Sequence, residues 1–136
     1  MAKKTWIKKR DDCSKVAKIK IIDKKFADIP EGSKMFIGTA KIVNEYVKCI
    51  PYGEVSDIKT MRNDLAIEHQ ADKTCPVTAG IFLRIVSEAA FEEFLTGKNL
   101  QEITPFWRII SPEMKIASKL TCGIDFIKEQ KSNEGF

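Results

Sequence analysis

The stretch P-V-T-A-G-I-F-L-R-I-V-S-E-A-A-F-E-E-F, Pro76 to Phe94, reads as one helix. It follows Cys75 and opens on a proline, which at the first helical position gives up an N–H that has no partner there in any case. Val77, Ile81, Ile85 and Ala89 recur at helical spacing and predict the buried face. Thr78, Ala79 and Gly80 then make a small, exposed first turn. Glycine lowers helix stability, so small residues here point to a close approach by something else. Two readings follow: a neighbouring helix packs on this turn, or the turn enters a DNA groove.

Working outward, Val16–Ile22 alternates loosely and predicts a short strand, and Ile29-Pro30-Glu31-Gly32-Ser33 predicts a turn. Ser33 can cap a helix in which Phe36, Ala40, Val43, Val47 and Ile50 form an amphipathic stripe. Pro51-Tyr52-Gly53 ends it. Ser56 or Asp57 can cap a second helix with Ile58, Met61 and Leu65 inward. His69–Thr74 is a polar connection, with His69 a solvated turn residue. Downstream of the long helix, Ile103–Ile110 predicts an extended segment, Ser111–Lys115 a turn, Ile116–Gly123 a loop and Gly123–Lys131 a last helix with Ile124 and Ile127 inward. Two helices around a connection, the second with a small-residue face, followed by a hairpin-like segment, outline a winged helix-turn-helix. The expected class is mainly α with a short β wing.

Composition bounds the function. The 136 residues are 43% hydrophobic, enough for one domain with an ordinary core. No apolar run is long enough to span a membrane. The N-terminus is basic without an apolar stretch, unlike a secretory signal. Cys13, Cys49, Cys75 and Cys122 form no C-x-x-C pair. The reading is a cytoplasmic protein with reduced thiols and no metal or other cofactor. Charge is uneven: residues 1–25 carry ten Lys/Arg and three Asp, a net of +7, and residues 26–136 a net of −3. Residues 1–33 therefore read as a basic arm with a short strand, pinned to the domain by Trp6 and Ile7. Residues 34–136 read as the winged helix-turn-helix. The arm suits phosphate contacts or serves as a solvated tail.

Ile50-Pro51-Tyr52-Gly53-Glu54-Val55 resembles the I-P-x-G-x-V signature of the alkylguanine-DNA alkyltransferase family, which follows a helix and opens the helix-turn-helix. Pro105-Phe106-Trp107-Arg108-Ile109-Ile110 resembles that family's P-C-H-R-V acceptor motif, and Thr121-Cys122-Gly123 resembles its S-G-G loop. The resemblance spans roughly residues 34–131. It implies a winged helix-turn-helix of alkyltransferase type, whose members flip an alkylated guanine from the minor groove and move the alkyl group to a cysteine.

Carried over residue by residue, the resemblance places the acceptor cysteine at Phe106, whose ring has no nucleophile. The histidine falls on Trp107, which is no base. The nucleotide-rotating tyrosine falls on Ile58, and the arginine finger on Ala79 or Gly80, with Arg84 a turn later. The pocket serine falls on Thr121. Pro105, Arg108 and Gly123 match the pattern, and an arginine in this motif can hold the loop through backbone carbonyls. Alkyltransferase-like proteins also lack the cysteine yet keep the tyrosine and arginine; this chain keeps neither.

The expected interface is therefore Ser56, Thr78, Ala79, Gly80 and Arg84 on DNA, with Ile58, Phe106, Trp107, Thr121 and Gly123 about a pocket. The Phe106–Trp107 pair either stacks on an extruded base or fills the space of a lost site. Three functions compete. One is a non-catalytic DNA-binding protein that senses alkylated DNA and recruits a repair partner. Another is a winged-helix module for protein or RNA. The third is alkyl transfer through a relocated cysteine, Cys75 or Cys122.

Overall fold

A computed structural model describes residues 5–136; Lys3 and Lys4 of the expected basic arm lie outside them. The chain is mainly helical with a small three-stranded sheet: α1 (Trp6–Arg10), β1 (Lys18–Ile21), β2 (Lys34–Ile37), α2 (Ala40–Lys48), α3 (Ile58–Glu68), β3 (Lys73–Thr74), α4 (Pro76–Leu95), a 3-10 turn (Phe106–Arg108), α5 (Lys115–Lys119) and α6 (Ile124–Asn133). β2 lies in the middle of the sheet. β1 pairs with it antiparallel, Lys18 opposite Ile37, and β3 pairs with it parallel, Met35 opposite Lys73.

The expected strand at Val16–Ile22 is present as β1. The helix expected to start after Ser33 starts six residues later, because residues 34–37 are β2. Gly38 breaks that strand, and Thr39 Oγ1 accepts from the Ile42 N–H as the true cap. The stripe itself is correct from that point: Ala40, Val43, Val47 and Ile50 are buried, and Phe36 joins them from the strand. Asp57, not Ser56, caps α3, its carboxylate accepting from Thr60 N at 2.7 Å. α3 ends with Gln70 in the left-handed region at φ 58°, and the N–H of Ala71 reaches back to the Ala66 carbonyl at 2.8 Å. That reversal sends the chain straight into β3, where only a polar connection was expected. His69, expected as a solvated turn residue, is in the turn but half-buried, its ring stacked on Phe36 with centroids 4.1 Å apart.

α4 is the central element and packs against α1, α2, α3 and the 3-10 turn. Its buried face is Ala79, Leu83, Val86 and Ala90, not the expected row of Val77, Ile81, Ile85 and Ala89. Only Ala89 of that row is buried. Val77 and Ile81 are 55% and 52% exposed. A helix that is apolar nearly all round gives two stripes of equal spacing, and the neighbours decide between them.

Among the described residues no strand follows α4, so the expected β wing is absent there. Pro105 and Pro112 supply no ladder donors. The Ile103–Ile110 segment instead winds into the 3-10 turn, with Ile109 and Ile110 N–H both donating to the Phe106 carbonyl. The expected loop after Lys115 begins as α5. The last helix runs to Asn133, with Gly123 at φ 81° leading into it. Ile127 is fully buried; Ile124 is partly buried against the core.

The N-terminal segment is docked on this frame. Backbone N–H groups of Trp6 and Ile7 donate to the Glu92 carboxylate, and Arg10 pairs with Glu93. No helix of the described residues is long and apolar enough to cross a membrane.

Candidate nucleic-acid interface

The Ile50–Val55 turn and the Pro105–Arg108 turn, some fifty residues apart, meet in space. Arg108 Nη1 donates to the Ile50 carbonyl at 2.8 Å, and Ser56 N–H donates to the Arg108 carbonyl at 2.7 Å. Glu134, just past α6, completes the clip. Its carboxylate accepts from Arg108 Nε at 2.9 Å, Trp107 Nε1 at 2.6 Å and Gly53 N at 2.9 Å. Burial works to raise the Glu134 pKa, but the hydrogen bonds from Arg108, Trp107 and Gly53 outweigh it and hold the carboxyl below its usual range. Tyr52 adds an O–H to the Asn133 carbonyl at 2.8 Å. Glu134 was not singled out from sequence: it lies beyond the matched stretch, and a glutamate near a chain end carries no signal.

Phe106 is fully buried and Trp107 is 3% exposed. Phe106 stacks on Phe126 with centroids 6.0 Å apart and meets Trp107 edge-on at 5.4 Å. With Phe91 and Phe94 these rings make one aromatic cluster. Neither Phe106 nor Trp107 offers an open face, so in this conformation they fill space rather than line an open slot. Thr121 is exposed; its N–H and hydroxyl donate to the buried Glu88 carboxylate at 3.1 Å. Burial and the nearby Glu88 charge push the Cys122 thiol up to about 11. That shift disfavours the thiolate that a relocated acceptor would need and accords with Cys122 as a plain small residue. Cys75 is 4% exposed at the start of α4, closed to reagents.

The exposed face lies at the N-terminal end of α4. Ala79, expected on that face, is 2% exposed and belongs to the core, because it sits one turn before Leu83 on the buried stripe. Thr78 is half-buried, and its hydroxyl has no partner among the described residues. Gly80 is open: a Cβ there would meet nothing within 4 Å. With Ile58, Val77, Ile81, Arg84, Ile116 and Lys119 it lines a shallow cavity of about 320 Å³. The predicted residues thus separate. Ile58, Gly80 and Arg84 share this cavity; Phe106 and Trp107 are buried in the core; Thr121 and Gly123 lie on the loop before α6. Ser56 spends its backbone N–H on the clip. Val77, Ile81 and Lys119 line this cavity without having been expected there: the first two were assigned to the core, and nothing in sequence ties α5 to α4.

Among the described residues no group of three or more His, Cys, Asp or Glu side chains is placed to hold a metal ion. Comparison with models of known families, with curated proteins and with solved structures finds no match.

Proposed function

We propose that this chain is a non-catalytic DNA-binding protein of the alkyltransferase-like kind, a helix-turn-helix relative in which α3 and α4 form the DNA-contacting pair. The observation that carries the reading is the clip between the two turns that resemble the family's signatures, Ile50–Val55 and Pro105–Arg108, held by Arg108 and Ser56. A second support is that Ile58, the position matching the family's tyrosine, and Gly80, one of the two positions (Ala79 or Gly80) matching its arginine, line one cavity. A helix face of Gly80, Val77 and Ile81 with Arg84 at its edge suits a minor groove, where apolar side chains wedge and arginine reads width. With Phe106 at the acceptor position and burial pushing the Cys122 thiol up, alkyl transfer is not part of the proposal.

The test is fluorescence anisotropy on a short duplex, with and without one alkylated guanine, over a salt series. Binding that weakens steeply with salt supports the reading. A preference for the alkylated duplex extends it to damage sensing and a repair partner. Absence of duplex binding at low salt overturns it. Intact-mass measurement after incubation with alkylated duplex is expected to show no added alkyl mass; a stoichiometric adduct would restore catalysis.

A second reading rests on the exposed Val77 and Ile81: the same face docks an apolar segment of another protein. It predicts that Ile81→Asp abolishes capture of that partner while duplex affinity stays at background.

A further inference from the structure

Arg84 stands at the edge of the exposed α4 face, and its guanidinium makes no hydrogen bond or ion pair among the described residues. Its Nε–H is shut from solvent and has no acceptor among the described residues. The acid that helical spacing puts beside it, Glu88, is turned to Thr121 instead. What Arg84 does meet is the ring of Trp6, with Cζ 5.5 Å from the centroid. Lys9 Nζ lies 4.4 Å from the same centroid.

The carboxylates around α1 are spoken for. Glu92 accepts from the Trp6 and Ile7 backbone, Glu93 takes Arg10 and Lys98, Asp11 is held by Arg10, and Asp12 accepts from Ser14. Two cations are therefore gathered on one indole, and neither is in an ion pair among the described residues. The ring attracts each but does not neutralise them, and a bound anion would lower their mutual repulsion further. The ring contact also limits the freedom of the planar guanidinium, which favours a fork of N–H donors meeting two oxygens of one phosphate.

We propose that Lys9, Trp6 and Arg84 form a phosphate-binding edge flanking the exposed face of α4, and that its ligand is the DNA backbone. The proposal rests on the DNA-binding reading above. It gives the basic N-terminal segment a fixed place: α1 is docked on α4 through Glu92 and Glu93, so its charge is held beside the groove-facing helix. A duplex lying on Val77, Gly80 and Ile81 passes a phosphate across the Trp6 edge.

The test measures duplex binding against salt for the full chain, Arg84→Gln, Lys9→Gln and the double variant, with thermal melting to verify folding. Each single change lowers the slope of log affinity against log salt by about one, and the double by about two. Lys128→Gln, an exposed lysine of α6, leaves it unchanged. Duplex binding with an unaltered slope in the double variant overturns the phosphate edge and leaves the DNA-binding reading standing. A second measurement needs no DNA. The two indole N–H signals are followed in proton–nitrogen correlation spectra during titration with inorganic tripolyphosphate. The Trp6 signal shifts saturably in the wild type and not in the double variant, while buried Trp107 is unmoved. A tripolyphosphate response without duplex binding keeps the anion site and overturns the DNA reading. A slope change without that response assigns the edge to duplex phosphates alone, and failure of both measurements overturns both claims.

Discussion

Glu134 shows how one side chain can close a fold. Its carboxylate is 4% exposed, faces Arg108 at 15% exposure, and also accepts from an indole and a backbone N–H. Glu134→Gln keeps the shape and removes the charge, leaving Arg108 without its counter-ion. The expected loss at pH 7 is about 3 kcal/mol, at the low end for a broken buried pair because Arg108 keeps the Ile50 carbonyl. The sign of the pH dependence follows from the lowered carboxyl. A depressed folded pKa contributes stability that is fully present above the unfolded value near 4.5 and is lost as pH falls through the folded value. The gap between wild type and Glu134→Gln in urea denaturation should therefore be constant from pH 7 to about 5 and narrow below that. A gap that is flat down to pH 3 would show that the charge does not stabilise the clip.

At the scale of the element, α4 carries apolar residues on both sides, and one of its sides is left open. Gly80 makes the point testable. A Cβ there meets nothing, so Gly80→Ala should raise stability by about 1 kcal/mol through helix propensity alone, a rise of a few degrees in Tm. If the bare backbone at this turn lets a groove approach closely, the same change weakens duplex binding although the protein is more stable. A stabilised variant with unchanged duplex affinity would remove Gly80 from the interface. Thermal melting and anisotropy on one purified variant decide it.

At the scale of the whole molecule, the N-terminal segment and α4 depend on each other. Glu93 is a buried carboxylate that meets Arg10 on one side and Lys98 on the other. Burial works to raise its pKa, but those two cations outweigh it and hold it ionised. Deleting residues 1–12 removes Arg10, Trp6 and Ile7 together. The expected cost is on the order of 3 kcal/mol, since Lys98 leaves the charge partly paired. Guanidinium denaturation of the truncated chain measures it, and an unchanged midpoint would show that α1 contributes nothing to the fold. The amino-acid sequence by itself determined where most helices lie, the stripe Val43–Val47–Ile50, the strand at Lys18–Ile21, and the two signature-like turns, because spacing, proline and glycine act over a few residues. It did not determine which stripe of α4 faces inward, since Val77–Ile81 and Ala79–Leu83 share one spacing and only the packing of α2, α3 and the Phe106 turn breaks the tie. Nor did it determine the strand at Lys34–Ile37, where pairing with β1 and β3 overrides a helical spacing, or the absence of a wing among the described residues. The clip of Arg108, Trp107 and Glu134 and the stack of Lys9, Trp6 and Arg84 join residues far apart in the chain. Only tertiary structure sets such pairs, because hydrogen bonds and cation–aromatic contacts depend on distance in space and leave no periodic trace along the chain.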